Sequence, residues 1–282
     1  MARVAVLGAG ELGGALAHKL AARDRVGSVC LIDPARGVAA GKALDIRQSG
    51  PIERFGTRIS AATVDAVVGA GVVVVADPAG PRDEDGRSAS GPALVERIAG
   101  LTGDAPIVCA AADGGELIAR AVRELRIARH RIMGSAPEAL AAGLRALIAL
   151  EADISPAQVA VQVLGTLPEH PVVAWSGATA GGGRLEDRLS PPALARVRRR
   201  VERLWPPGPY ALASAAARVV EALAGGGSRR VFTCCVAHGS RPLASAPAVP
   251  VTLDAGGVDA VVAPALSPSE RVQLDNALEA AG

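Results

Sequence analysis

The residues most suited to chemistry are a cluster of glycines near the start of the chain. Residues 8–13 read GAGELG, a G-x-G-x-x-G pattern that directly follows the apolar run 3–7. In this context Gly8 permits a tight turn, Gly10 lets the backbone approach a pyrophosphate, and Gly13 lets the following helix pack on the strand. The first helical amides then point towards the phosphates. We therefore expect a dinucleotide to bind at Gly8, Gly10, Glu11, Leu12 and Gly13.

An acidic residue stands at the position that selects between the two nicotinamide cofactors. Asp33 lies twenty residues beyond Gly13, at the end of the apolar run 28–32. A carboxylate there accepts hydrogen bonds from the ribose hydroxyls and repels a 2′-phosphate. The sequence therefore predicts NAD as the cofactor rather than NADP.

The cysteines indicate neither a metal site nor a reactive thiol. Cys30, Cys109, Cys234 and Cys235 include no C-x-x-C pair, and no Cys/His cluster has zinc spacing. We therefore predict buried, reduced thiols and a cytoplasmic protein without a metal. The absence of a basic-then-apolar leader, and of an apolar run long enough to cross a bilayer, favours the same compartment.

The composition disfavours several classes of partner. Half of the 282 residues are hydrophobic but only 2% are aromatic, so the chain can bury a large aliphatic core but offers few rings for base stacking. The net charge is +2, so no broad field attracts polyanions. Arginines are dense at 196–203, which we interpret as a solvated helix face. We predict no nucleic-acid partner and no membrane partner.

The first half of the chain alternates apolar runs with helical segments. The apolar runs are 3–7, 28–32, 72–76 and 106–111, and the helical segments are 12–23, 38–47, 92–101 and 115–126. Continuous apolar strands between helices indicate a parallel sheet that is covered on both faces. The sequence therefore predicts an α/β fold, with a Rossmann-type doubly wound parallel sheet in an NAD-binding domain at residues 1–134.

The second half, residues 135–282, has a different pattern. Helices are predicted at 136–151, 190–204, 209–224 and 267–281, and strands at 158–165, 171–176, 230–236, 247–253 and 258–264. The short spacing between these strands favours hairpins and antiparallel pairing. We therefore predict that an α+β C-terminal domain follows the parallel sheet.

Several segments along the chain resemble one enzyme family. Residues 41–46 (GKALDI) resemble the G-K-A-L-D-M segment of NAD-dependent malate dehydrogenases, and residues 131–134 (RIMG) are similar to their R-V-M-G. Residues 163–165 and 175–177 resemble the flanks of the catalytic histidine loop in lactate/malate dehydrogenases. Residues 230–282 resemble the last strands and helix of that family. This resemblance spans nearly the whole chain, and implies a lactate/malate dehydrogenase-like C-terminal domain, NAD and a 2-hydroxy or 2-keto acid substrate.

The same resemblance implies four catalytic groups, of which three are missing here. In the family a histidine accepts the hydroxyl proton, an aspartate orients that histidine, one arginine clamps the substrate carboxylate, and a second arginine on a mobile loop polarises the carbonyl. Counted without gaps, the aspartate, clamp arginine and histidine positions hold Leu140, Gly143 and Leu167. The family's V-T-N-P asparagine falls on Ala112. The next arginine of the motif, Arg145, is present and supports the register.

Other residues could substitute for the missing groups. His170 lies three residues beyond Leu167 and next to Glu169, and Arg82 and Arg87 resemble the arginines of the substrate-closing loop, one residue short in spacing. We take His170, Arg82 and Arg87 as the candidate catalytic residues. The alternative is that they are a loop histidine and solvated arginines without a catalytic role.

Two further departures concern the cofactor and substrate pockets. The T-A-G that follows a strand in the family becomes Ala76-Asp77-Pro78 or, with a two-residue insertion, Ala79-Gly80. A carboxylate at Asp77, near the pyrophosphate, would oppose cofactor binding. The chain is also short between residues 204 and 210, which would trim a helix bordering the substrate pocket.

Three functions remain open at this point. The first is a malate-dehydrogenase-like NAD(H)-binding protein whose malate/oxaloacetate hydride transfer is weak or lost, a pseudoenzyme. The second is an active NAD-dependent malate or other 2-hydroxy acid dehydrogenase with a rebuilt site. The third is a cofactor-free scaffold or interaction protein. The helices at 38–47 and 136–151 resemble subunit-contact elements of the family, so we expect a homodimer or tetramer.

Overall fold

In the part of the chain that the structure describes, helices flank an 11-stranded sheet. The computed structural model describes residues 1–77, 91–238 and 244–280. The strands are β1 (Arg3–Leu7), β2 (Ser28–Ile32), β3 (Arg58–Ala62), β4 (Val72–Val75), β5 (Ile107–Cys109), β6 (Ile132–Gly134), β7 (Val159–Ala160), β8 (Val163–Thr166), β9 (His170–Val173), β10 (Thr179–Ala180), β11 (Gly183–Arg184), β12 (Gly227–Cys235), β13 (Ala248–Asp254) and β14 (Gly257–Val261). The α-helices are α1 (Glu11–Arg23), α2 (Arg36–Glu53), α3 (Gly91–Ala99), α4 (Gly114–Glu124), α5 (Ala136–Ala152), α6 (Leu185–Arg188), α7 (Pro191–Arg200), α8 (Pro209–Ala224) and α9 (Pro268–Glu279).

The first half forms the predicted doubly wound parallel sheet. Its strands lie in the order β3-β2-β1-β4-β5-β6, and all of these neighbours are parallel. One face of β1 packs with α1 and α2, and the other packs with the core that includes α3 and α4. Strands that are covered on both faces must be apolar throughout, which explains the unbroken valines of β4. The predicted α/β class is thereby confirmed.

The strand order defines where a ligand can enter. From β1 the chain runs outward to β2 and β3, and then returns to place β4 on the other side of β1. At such a reversal the connections after β1 and β4 leave in opposite directions, so a crevice opens at the carboxyl ends of these strands. The residues at this crevice are those that follow Leu7 and Val75.

The second half extends the same sheet with antiparallel strands. Pairing changes direction where Cys235 of β12 lies opposite Gly134 of β6, and β13, β8 and β9 follow. Helix α8 packs against α1 and α5, and its Ala213 and Ala216 join the core beneath the parallel strands. The two halves therefore share one sheet and a common hydrophobic cluster, and the division at residue 134 stays a prediction.

Some elements differ from their predicted extents. The helix predicted at 38–47 runs from Arg36 to Glu53 and includes Pro51. Strand β3 was not predicted, because it is an edge strand with a mostly exposed face and so has no continuous apolar run. The strand predicted at 158–165 is divided into β7 and β8, which belong to different sheets. Within the described ranges, no helix is long and apolar enough to cross a membrane.

Candidate functional site

The glycine loop has the geometry that its sequence pattern requires. Gly8 has a φ of +104°, and a Cβ on Gly8 would lie 2.3 Å from the carbonyl oxygen of Asp77. A Cβ on Gly13 would lie 2.0 Å from the carbonyl oxygen of Gly8. A side chain at either position would therefore displace the backbone between β1, α1 and β4.

Asp33 fixes the other side of this loop. Its buried carboxylate follows β2 and accepts hydrogen bonds from the Ala9 amide at 2.7 Å and the Ala35 amide at 2.8 Å. The side chain therefore lies at the carboxyl edge of the sheet and in contact with the glycine loop. This is the placement from which an acidic residue reaches the ribose of a dinucleotide.

Asp77 occupies the amino end of α1. Directly beyond β4, its carboxylate accepts hydrogen bonds from the amides of Leu12 at 3.1 Å and Gly13 at 2.7 Å. Its own carbonyl accepts a hydrogen bond from the Gly10 amide at 2.9 Å. The side chain is buried. A residue of this chain therefore already binds the helix amides that the glycine pattern offers to a phosphate.

The site fits one part of a dinucleotide better than the other. The glycine turn lets the backbone approach a dinucleotide closely, and Asp33 lies where it can bind the ribose. The amides of Leu12 and Gly13, by contrast, already have an anionic partner in Asp77. Two unit charges 4 Å apart repel by about 4 kcal/mol at an effective dielectric constant of about 20. A pyrophosphate and the Asp77 carboxylate therefore cannot share these amides.

A lysine that the sequence reasoning overlooked also contacts the loop. Lys42 of α2 donates a hydrogen bond from Nζ to the carbonyl oxygen of Gly10, and its stem packs beside Gly14. The chain contains only one other lysine, Lys19, so a lysine within the GKALDI segment was a signal that could have been used. Lys42 places a positive charge beside the first turn of α1.

The two positions that the sequence resemblance assigns to the family's histidine and aspartate lie at an apolar cluster. Leu140 of α5 is fully buried, and it belongs to the same cluster as Val163, Val173 and the half-buried Leu167. Leu167 lies in the turn between β8 and β9, against the face of this hairpin that packs on α5. Neither a proton acceptor nor an acid that could orient one is present at these two positions.

Gly143, the position that the resemblance assigns to the clamp arginine, is covered by a neighbouring side chain. A Cβ on Gly143 would lie 3.5 Å from Cδ2 of Leu204, which is ordinary van der Waals contact. Leu204 follows α7 and lies at the start of the segment 204–210, which the sequence comparison predicts to be shorter than in the family. The side chain of Leu204 therefore lies over the surface from which a guanidinium would project.

His170 lies on the opposite face of the hairpin from Leu167. It pairs with Thr166, whose hydroxyl donates to the carbonyl oxygen of Ala277 in α9 at 2.9 Å. Directly paired residues of an antiparallel ladder project to the same face, so His170 faces the α9 side and is exposed there. The structure does not bring His170 to Leu140. Its role as the base stays a prediction, and the register gives that role no support.

The two candidate loop arginines, Arg82 and Arg87, lie outside the described residues. Their proposed contact with substrate therefore stays a prediction.

The buried acid of α5 does not replace the missing aspartate. Glu138 accepts hydrogen bonds from Nη2 of Arg230 at 2.8 Å and from the Thr233 amide at 2.9 Å, and both partners belong to β12. Leu140, two residues further along the helix, instead faces the cluster with Leu167. The carboxylate of Glu138 therefore anchors α5 to the sheet.

The cysteines and acids offer no second reactive centre within the described ranges. All four cysteines are buried and unpaired, and burial raises the pKa of Cys235 to about 12. Burial also raises the pKa of Cys109 and Cys234. These three thiols therefore stay protonated. No group of three or more His, Cys, Asp or Glu side chains in this part of the chain could hold a metal ion.

The sheet order and the glycine loop define a protein with a Rossmann dinucleotide-binding domain, and comparisons with known proteins specify its family. The model of the NAD-binding domain of lactate/malate dehydrogenases matches residues 2–103. A malate dehydrogenase from Thioalkalivibrio sulfidiphilus is 30% identical, with 99% of this chain and 96% of the relative covered. One from Roseobacter denitrificans is 29% identical over 99% of this chain and 94% of the relative.

Solved structures agree with this assignment. The malate dehydrogenase of Salinibacter ruber is 26% identical and has a TM-score of 0.86, with 99% of this chain and 95% of that chain covered. A lactate dehydrogenase of Cryptosporidium parvum, complexed with lactic acid and nicotinamide adenine dinucleotide, has a TM-score of 0.88 at 19% identity, with 99% and 95% covered, and shows the shared fold. The chain belongs to the lactate/malate dehydrogenase family, as the sequence resemblance predicted, and its amino-terminal part is the family's NAD-binding domain.

Proposed function

We propose that this chain is a malate-dehydrogenase-like NAD(H)-binding protein in which hydride transfer between malate and oxaloacetate is weak or lost. Binding of NAD(H) is supported by the match to the family's NAD-binding domain, by the backbone of the glycine loop and by the position of Asp33. Bound NAD(H) would supply or accept the hydride. The chain's own residues would have to move the hydroxyl proton and hold the carboxylates.

The observation that carries the proposal is the apolar filling of the catalytic positions. Leu140 and Leu167 share one hydrophobic cluster, and Leu204 covers Gly143. Loss of a general base typically lowers the rate by about 10²–10⁴-fold. Loss of the bidentate clamp removes substrate orientation as well. The weak activity we propose follows from these absences at three positions that the family resemblance identifies.

Two measurements on the purified chain test the proposal. A titration with NADH, followed by nicotinamide fluorescence, should give saturable binding. Steady-state NADH consumption with oxaloacetate, and separately with pyruvate, should stay far below the ordinary turnover range of about 1–10³ per second. Turnover within that range would favour the active dehydrogenase with a rebuilt site. The absence of NADH binding would favour the cofactor-free scaffold.

The remaining proposals concern partners and compartment. A small 2-hydroxy or 2-keto acid would be the substrate if residual activity exists, and a second copy of the chain is the expected protein partner. We also propose a cytoplasmic location, because four unpaired cysteines suit a reducing compartment.

A further inference from the structure

The carboxylate of Asp77, a residue of the chain itself, lies at the amino end of α1. Leu12 and Gly13 are the second and third residues after the N-cap Gly10, so their amides have no partner within the helix. Both amides donate to the carboxylate of Asp77, at 3.1 Å and 2.7 Å. In a helix that follows a glycine loop, these amides belong to the binding site for a pyrophosphate.

We propose that Asp77 is a built-in competitor of the dinucleotide, and that NAD(H) binds only when the Asp77 carboxylate leaves the amides of Leu12 and Gly13. The inference rests on the proposed NAD(H) binding and adds a residue that sets its affinity. It also identifies the competing ligand group as the pyrophosphate rather than the adenosine. If Ala76-Asp77-Pro78 corresponds to the family's T-A-G, alanine is the family residue at position 77.

The backbone of Asp77 is held in place, so only its side chain can move to make way for the dinucleotide. The Asp77 carbonyl accepts a hydrogen bond from the Gly10 amide at 2.9 Å. Gly8 packs so closely against the same carbonyl that a Cβ there would lie 2.3 Å away. Displacing the whole residue would break up the glycine loop. The carboxylate must therefore leave the helix amides by rotation about the Cα–Cβ bond.

The charges around the glycine loop disfavour binding of a pyrophosphate while the Asp77 carboxylate is still at the amino end of α1. Asp33 already contacts the Ala9 amide, and Asp77 contacts the amides of Leu12 and Gly13. The amine of Lys42 contacts the carbonyl oxygen of Gly10 on the first turn of α1. A pyrophosphate would add negative charge between two buried carboxylates. Removing the charge of Asp77 should therefore favour the dinucleotide.

The test is an NADH titration of the full chain carrying Asp77→Ala, with Asp104→Ala as the matched control. Asp104 is an exposed aspartate that precedes β5, at the opposite edge of the sheet from the loop. We expect Asp77→Ala to bind NADH at least about tenfold more tightly than the unmodified protein, the factor that corresponds to about 1.4 kcal/mol. Asp104→Ala should bind as the unmodified protein does.

A second variant guards against simple loss of folding. Asp77→Asn keeps an acceptor oxygen for the helix amides but lacks the charge, so it should retain the fold and also bind NADH more tightly. Thermal melting supplies an independent readout. Without ligand, Asp77→Ala should melt below the unmodified protein because α1 loses its cap. With excess NADH its melting temperature should rise further than that of the unmodified protein.

The outcomes separate this inference from the proposed function. If the unmodified protein binds NADH and neither folded Asp77 variant binds more tightly, the inference is overturned while the proposed NAD(H) binding stands. If neither the unmodified protein nor any folded variant binds NADH, both the inference and the proposed binding are wrong.

Discussion

Leu140 of α5 and Leu167 of the β8–β9 turn pack into one apolar cluster, at the two positions where the family resemblance implies an aspartate and a histidine. Leu140 is buried in this cluster, and the half-buried Leu167 packs against it. A single polar replacement would therefore lie among apolar neighbours without its intended partner. A buried polar group that lacks a hydrogen-bond partner costs about 1–3 kcal/mol.

Restoring the histidine alone should not restore catalysis. We expect Leu167→His to remain nearly inactive, because no acid orients the imidazole and no guanidinium holds the substrate. The melting temperature should also fall, since the imidazole replaces an apolar contact. Steady-state NADH consumption with oxaloacetate and a thermal melt measure the two effects. Substantial turnover by this single variant would show that Leu140 and Gly143 are not the limiting positions.

Restoring all three groups requires room for the arginine. Leu167→His, Leu140→Asp and Gly143→Arg together have the best prospect of measurable turnover, because such groups act as a unit. Cδ2 of Leu204 would lie 3.5 Å from a Cβ at position 143, so a smaller side chain at position 204 would leave more room for the guanidinium. Adding Leu204→Ala to the triple variant should therefore raise turnover. Leu204→Ala alone is the control and should have no effect on activity.

Asp33 should give the protein a preference for NAD(H) over NADP(H). Its carboxylate would face the 2′-phosphate of NADP, so Asp33→Ala should narrow the preference. The same change removes the hydrogen bonds to the Ala9 and Ala35 amides and should lower stability. Asp33→Asn, which retains an acceptor oxygen, separates the two effects. If matched fluorescence titrations gave the unmodified protein equal affinity for NADH and NADPH, Asp33 would not be the residue that selects the cofactor.

Glu270 should make stability depend on acidic pH. Burial raises its pKa, but hydrogen bonds from Ser176 and Ser267 outweigh burial and lower the pKa to about 2, from an ordinary value of 4.5. A carboxyl whose pKa is lower in the folded state stabilises the fold fully above its unfolded pKa. That contribution should disappear as the pH falls from about 4.5 towards about 2.

The variant Glu270→Gln isolates this contribution. The difference in melting temperature between the unmodified protein and Glu270→Gln should be largest near neutral pH and shrink across that acidic range. Glu279→Gln is the matched control, because Glu279 is an exposed acid on the same helix α9. A difference that stays constant down to the lowest pH at which the protein folds would contradict the expectation.

The exposed side of α2 should mediate self-association. Leu44 and Ile52 on this helix are 46% and 82% exposed, whereas most apolar residues of α5 are buried within the chain. Light scattering at micromolar concentration should give a homodimer or tetramer, and Leu44→Glu with Ile52→Glu should give a smaller species. Leu150→Glu, at the exposed end of α5, is the control. A monomeric unmodified protein would contradict the prediction.

The parts of this protein that the sequence by itself determined are those with local causes. The turn at 8–13 needs glycines because a Cβ at Gly8 or Gly13 would collide with backbone atoms. Asp33 comes directly after an apolar run that forms the buried strand β2. Such requirements are met by neighbouring residues, so they leave a pattern in the sequence. The edge strand β3 left none, because most of its side chains are exposed and it therefore has no continuous apolar run.

Only the tertiary structure decided which side chains meet at the site. Asp77 reaches Gly13 across 64 residues of sequence, and Leu204 reaches Gly143 because α7 packs on α5. His170 is three residues from Leu167, yet the pairing register of β8 and β9 places the two on opposite faces. These contacts are set by how whole elements pack and by strand register, which spacing along the chain cannot specify. The sequence therefore identified the residues at issue, and the packing determined which of them meet.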